Sequence, residues 1–234
     1  MIKRKLLPAL INATALIGTL VFSVPAAAQT GTPGCADLGG TVGAEPTCHI
    51  HTETSTYTID IGYPLDYADQ QTLTDFVMHD RDQFVDFMTQ ARPRDVPYGH
   101  ALTPHTYRSG ASTSGTQSVV FDVHDDTGAH PVTGFKAFNY DLGARTSITL
   151  DTLFKPGTDP VATLDPIVQR FMNKRRQSTL EPPPHNTLGA KVYQNFAITD
   201  DAIIFYIGQG MWLPEVDGAQ RVPVPRSELA AVLA

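Results

Sequence analysis

The sequence is short of three things, and each shortage excludes something. Two cysteines in 234 residues limit covalent cross-linking to a single bridge. Basic residues number 17 against 24 acidic ones, with no long basic stripe, so phosphate-backbone binding and hence nucleic acid are excluded as partners. Beyond the first two dozen residues no apolar run is long enough to span a bilayer, so no membrane span is expected in the mature chain. Motifs are also missing: there is no glycine-rich phosphate cradle, HExxH or EF-hand loop, and no cofactor or metal is expected.

What is present begins with a leader. Lys3, Arg4 and Lys5 precede a mostly apolar stretch from Leu6 to Val24, and Pro25 with Ala26-Ala27-Ala28 supplies an A-x-A cleavage site. Asn12, Thr14, Gly18 and Thr19 interrupt the stretch, which argues against a retained anchor. Residues 1–28 are therefore expected to be a secretory signal and 29–234 a single exported domain, extracellular or associated with the cell wall. Losing three basic residues leaves 14 against 24 acidic ones, a formal charge of −10. Such a surface favours cationic partners, although solubility alone accounts for it.

Cys35 and Cys48 lie just inside the mature N-terminus. In an oxidising compartment they are most simply a disulfide closing the loop that holds Gly39, Gly40 and Gly43. The rival is a zinc pair with His49 and His51, whose period-two spacing places both imidazoles on one strand face; a 12-residue gap between the thiols is unlike the short zinc knuckle.

Periodicity then gives the elements. Tyr57, Ile59 and Ile61 alternate as a strand ending at Pro64, whereas Leu73, Phe76, Val77, Phe84, Phe87 and Met88 form one face of a helix from Asp69 to Ala91. Gln117 to Val123 and Val132 to Asp141 read as a hairpin. Asp165 as N-cap and Pro166 at the first turn predict a second helix, with Lys174, Arg175 and Arg176 at its cation-favouring end. Glu181-Pro182-Pro183-Pro184-His185 reads as a stiff connection. Tyr193 to Thr199 and Ala202 to Ile207 predict strands, the second apolar on both faces and so central. Arg221 to Val224 is a further strand, and Ser227 to Leu233 a closing helix.

Three passages carry a resemblance. Gly128-Ala129-His130-Pro131, with Asn139-Tyr140-Asp141-Leu142 and Leu150-Asp151-Thr152-Leu153-Phe154, resembles the central signature of the RsiV-like domain. Tyr193-Gln194-Asn195-Phe196-Ala197-Ile198-Thr199-Asp200-Asp201, with Ile204-Phe205-Tyr206 and Val224-Pro225-Arg226-Ser227-Glu228-Leu229, looks like its C-terminal signature. Within that family the chain is similar to the mycobacterial secreted immunogenic antigens. The resemblance implies an α+β fold with mixed, mainly antiparallel sheets in a two-lobed domain with one long packed helix. It also implies an extracellular binding role, since the anti-sigma members receive lysozyme with this domain. Those receptors present Pro and Tyr in the loop after the last long strand, where this chain has Gly208-Gln209-Gly210-Met211-Trp212. Gln209, Met211 and Trp212 are the corresponding ligand-binding candidates.

A non-enzymatic binding protein recognising an extracellular protein or envelope glycolipid is the reading these features give. The alternative is a secreted esterase or acetyl hydrolase. Gly110-Ala111-Ser112-Thr113-Ser114-Gly115 fails the nucleophile-elbow spacing, which leaves Ser114 with His130 and Asp122 or Asp126 as the triad to be weighed by geometry.

Overall fold

A computed structural model describes residues 34–43, 45–92, 94–128, 130–176 and 189–234. The leader and the proline-rich connection 181–185 lie outside the described residues.

Seven strands form the main sheet in chain order: β1 Thr41–Val42, β2 Thr47–Glu53, β3 Tyr57–Pro64, β4 Tyr98–Ser109, β5 Thr116–Asp126, β6 Val132–Asp141 and β7 Thr146–Ser147. Every neighbouring pair is antiparallel except β3 and β4. A parallel pair needs a long crossover, and helix α1, Gln70–Gln90, lies in that connection.

Strand β4 is absent from the periodicity reading because His100, His105, Thr103, Thr106 and Pro104 dilute its apolar residues. Pro104 is tolerated because the ladder with β3 ends at Ile61 opposite Leu102. Its ring then lies beside Gly62, where an added Cβ would come within 3.2 Å of the proline Cδ.

The sheet is covered on both faces. Val119 and Phe121 pack with Ile59, Ile61 and Leu102 against Leu73, Val77, Phe84 and Met88 of α1. Phe76 adds ring contacts of 5.6 Å to Phe121 and 5.3 Å to Phe138, whereas Phe87 turns outward, 54% exposed. On the other face Val120 meets Ala197 and Tyr206 of a second, three-stranded sheet. That sheet has the order β10 Gln220–Pro225, β9 Ala202–Ile207, β8 Phe196–Ile198. β9 is central, and its two apolar faces are both used: Tyr206 and Ile204 face the large sheet, while Ile203, Phe205 and Ile207 enter a second core.

That second core is closed by α2, Leu150–Leu153, by α3, Pro160–Arg176, and by α4, Arg226–Leu229. Helix α3 starts earlier than expected. Asp159 caps it, its Oδ1 accepting from the N–H groups of Val161 at 2.9 Å and Ala162 at 3.1 Å. Pro160 then takes the first helical position, and Pro166 is interior. The Asp-Pro signal occurs twice, and the earlier copy starts the helix. Asp165 is drawn into the core instead, accepting from the Tyr193 hydroxyl at 2.5 Å.

Two other expectations shorten. Gly189–Tyr193 is a 3-10 turn, so strand β8 begins only at Phe196. The closing helix ends at Leu229, after which Leu233 pairs with Phe154. The fold is thus α+β, with a mainly antiparallel seven-stranded sheet, a second small sheet and one long helix packed on the large sheet.

Candidate ligand-binding and catalytic residues

The loop after β9 is fixed from both ends. Gln209 donates its backbone N–H to the Thr133 carbonyl at 3.0 Å, and its side-chain Oε1 accepts from the Thr133 N–H at 3.1 Å. This pairing ties the loop to the start of β6. Met211 folds back over Gly208, where an added Cβ would meet its Sδ at 3.1 Å. Trp212 is 8% exposed and packs with Leu213 in the second core, its ring 6.2 Å from that of Tyr193. Of the three sequence candidates, Gln209 lies at the surface hollows while Met211 and Trp212 turn inward.

The side chain this loop presents is a different one. Val216, on the 3-10 turn Glu215–Asp217, is 91% exposed. Gln209 and Gly218 line a hollow of about 460 Å³ with His130, Pro131, Glu215 and Val216, and a second of about 350 Å³ with Asp122, Phe135, Arg175 and Arg221. His130 Nε2 lies 3.3 Å from the Glu215 carboxylate, which joins the β5–β6 turn to the loop. A lone apolar residue between acidic neighbours has no periodicity, so only the flanking Pro214 and Gly218 signalled the turn in the sequence.

Ser114, Asp122 and His130 are not brought together. Ser114 lies in the turn before β5 and His130 in the turn after it, so the 11 residues of that strand separate them, roughly 35 Å at the usual strand rise. Asp122 is engaged midway, 2.6 Å from Arg221 Nη2 and 3.2 Å from His105 Nε2. Asp126 pairs with Arg94 at 3.1 Å. Among the described residues no serine hydroxyl hydrogen-bonds an imidazole; the one hydroxyl that does is Thr133 Oγ1, 3.1 Å from His124 Nδ1.

The most perturbed histidine is His100, on β4. Its Nδ1 lies 2.7 Å from Asp125 and its Nε2 2.8 Å from Asp80, with Phe84 stacked on the ring at 4.8 Å. Burial pulls its pKa down, but hydrogen bonds and charge from both carboxylates outweigh it and raise the value to about 9. A cationic imidazole with both nitrogens engaged is a clamp between α1, β4 and β5, unsuited to abstracting a proton.

A second polar latch joins the two sheets. Asp200 accepts from the Gly110 N–H at 2.7 Å and from the Ser109 hydroxyl at 3.0 Å, and these bonds lower its pKa. Arg226 Nη1 reaches Ser109 Oγ and the Thr199 carbonyl, each at 3.3 Å. Finally, Cys35 and Cys48 form a disulfide, with their Cα atoms 5.6 Å apart. Their sulfurs are thereby committed, which removes the zinc alternative with His49 and His51.

Comparison with known proteins supplies the family. Residues 151–227 match a family model described as a protein of unknown function, DUF3298. Esterase Rv3036c of Mycobacterium tuberculosis is 43% identical over 94% of this chain and 96% of its own length. The chain belongs to the same family. Immunogenic protein MPT64 of Mycobacterium tuberculosis and MPB64 of Mycobacterium bovis are relatives too, each 38% identical over 86% of this chain and 88% of theirs. A crystal structure of a DUF3298 family protein from Pseudomonas aeruginosa shares the fold, with a TM-score of 0.53 at 15% identity, covering 82% of this chain and 96% of that one. The α+β fold of this chain is therefore found in that Pseudomonas protein as well. Among the described residues of this member, no helix is long and apolar enough to cross a membrane.

Proposed function

We propose that this is an exported binding protein of the RsiV-like, immunogenic-antigen type, acting outside the cell or at its wall on an extracellular protein partner. The observation that carries the reading is Val216, 91% exposed between Glu215 and Asp217 at the tip of the loop after β9. Val216 is flanked by two carboxylates, Glu215 facing His130 and Asp217 facing Arg176, each at 3.3 Å, and such an exposed apolar side chain within a polar rim suits a partner that offers a shallow apolar site. The leader, the single disulfide and the acidic balance of the sequence support export and a cationic partner.

Lysozyme is the cationic test protein for biosensor binding with the mature chain. Saturable binding is expected, weakened about tenfold or more by Val216→Asp, which puts a desolvated charge into the contact. Binding that ignores Val216→Asp and Gln209→Ala together sinks the assignment of this surface, and absence of binding to any cationic protein sinks the partner class.

Hydrolysis of acyl esters is the second reading, favoured by the 43% identical relative named an esterase. Turnover of short-chain acyl esters that disappears on one Ser→Ala change would establish it. Ser114→Ala is expected to leave any such turnover unchanged, since among the described residues no imidazole hydrogen-bonds the Ser114 hydroxyl and the length of β5 separates it from His130.

A further inference from the structure

At the other end of β5 from the loop just described, the two sheets and the C-terminal segment enclose a pocket of about 330 Å³. This is within the size range of small-ligand sites. Ile198 and Ile203 come to it from β8 and β9, Leu153 from the last position of α2 and Leu233 from the segment after α4 that bridges to Phe154, giving an apolar floor. Polar side chains make the rest of the wall, Asp141, Thr146, Ser147 and Thr152 among them, and two of them carry the recognition, Arg226 and Thr116. Arg226, on the first turn of α4, lines the pocket and forms no ion pair within 4.0 Å among the described residues; its side-chain bonds to Ser109 and Thr199 are both long, at 3.3 Å. Thr116, the first residue of β5, also lines it, and its Oγ1 is buried with no hydrogen-bond partner.

A buried hydroxyl left unpaired is costly and is rare in folded proteins, so it calls for a partner. The same wall offers a guanidinium, a donor-only group shaped for a carboxylate. An apolar floor, a guanidinium and a hydroxyl together match a ligand with one anionic end and one aliphatic end. Asp141, which faces Thr116 across the β5–β6 ladder and also lines the pocket, sets the charge limit. Its carboxylate is held by the Ala144 N–H at 2.8 Å, and it disfavours a dianionic head group more than a monoanionic one.

We propose that this pocket binds a medium-chain acyl carboxylate, with the carboxylate on Arg226 and Thr116 and the chain over Ile198, Ile203, Leu153 and Leu233. The site is separate from the protein-recognition loop and stands whether or not that loop binds a partner. It is also what a protein handling acylated envelope material needs, since the free acid is the product released when such an ester is cleaved.

The test is a methyl-resolved NMR titration of the mature protein with octanoate, alongside octan-1-ol and octyl phosphate. Octanoate should shift the methyls of Leu153, Ile198, Ile203 and Leu233 saturably while those around α1 stay still. Arg226→Gln should weaken octanoate at least about tenfold and octanol less than about threefold, because only the former loses a charge-assisted bond. Thr116→Val, close to isosteric, should weaken octanoate about threefold, and it provides the reading if Arg226→Gln disturbs the latch to Ser109 enough to collapse the spectrum. Octyl phosphate should bind more weakly than octanoate. Unsaturable shifts, shifts centred elsewhere, or octanoate affinity that survives both substitutions would overturn the proposal. Val216→Asp should leave octanoate binding intact, so failure at one end of β5 is not mistaken for failure at the other.

Discussion

Replacing His100 with phenylalanine is expected to destabilise the fold by about 2 to 3 kcal/mol at neutral pH, a large effect for one side chain in a chain of this size. The ring stack on Phe84 is conserved by the change, so the loss reports the charge and its two bonds. His100 is 4% exposed, and its removal leaves Asp80 and Asp125 facing an apolar ring without the cation between them. Breaking one member of a buried ion network costs about 3 to 5 kcal/mol. The lower figure applies because the Asp125 side chain is 41% exposed, which lets water take over part of its solvation.

The same residue sets a pH dependence whose sign is opposite to acid unfolding. A histidine whose pKa rises from 6.5 to about 9 on folding stabilises fully below 6.5, and that contribution disappears as pH rises through about 9. Urea unfolding of the unmodified protein should therefore show a midpoint that falls between pH 7 and pH 9, below the range where the buried tyrosines Tyr67, Tyr193 and Tyr206, whose pKa values burial raises, begin to favour the unfolded chain in either protein. In His100→Phe the midpoint should start lower and lack that fall. Equal slopes for the two proteins over this window would show that the imidazole is not the titrating clamp.

How much of this was legible depends on what each feature rests on. The helix over 70–90 was readable because its apolar residues recur at 3.6 spacing, and β9 because a run of only five apolar residues, β-branched and aromatic and bounded by Asp200-Asp201 and Gly208, fits a strand buried on both faces better than a helix. β4 was not, since its inward face is made of His100, Leu102 and Pro104 and gains its burial from partners 20 to 25 residues away, Asp80 and Asp125. The start of α3 was ambiguous between two Asp-Pro steps, and capping is decided by which Asp is left free for the backbone once Tyr193 has bound Asp165.

At the sites the same division holds. Gln209 was found from the loop that carries it, but the inward turn of Trp212 depends on Tyr193, 19 residues earlier, and is invisible locally. Ser114 and His130 are only 16 positions apart in sequence, and a fully extended strand between them keeps them apart. The pocket under Arg226 joins β5, β8, β9 and the chain after α4, so no single stretch announces it.

Reduction of the Cys35–Cys48 bridge is expected to release the segment from Gly34 to Val42 while the rest of the sheet keeps its protection. The bridge joins the short 3-10 turn Ala36–Leu38 to β2, and Cys35 and Leu38 reach the first core only beside Cys48. Strand β1 has just two residues and pairs with β2 alone, so without the bridge little holds it. Closing a loop with a sequence separation of 13 is worth on the order of 3 kcal/mol by the chain-entropy estimate. That is enough to hold a segment with so few contacts of its own. β2 itself is different: it pairs with β3 from Thr47 opposite Pro64 to Glu53 opposite Thr58, and Ile50 and Cys48 are buried in the core, so its ladder and packing do not depend on the bridge alone. Gly40→Ala should mimic part of the effect, because an added Cβ would lie 2.6 Å from the Cys48 sulfur and 2.8 Å from that of Cys35, and a bridge cannot swing aside as a free side chain does. Hydrogen exchange of the Cys35→Ser, Cys48→Ser double variant should show lost protection at 38–43 and unchanged protection across β5 and β9. Loss of protection at Phe205 and Tyr206 would instead make the bridge a support of the whole fold, and unchanged protection at Thr41 and Val42 would make it dispensable even locally.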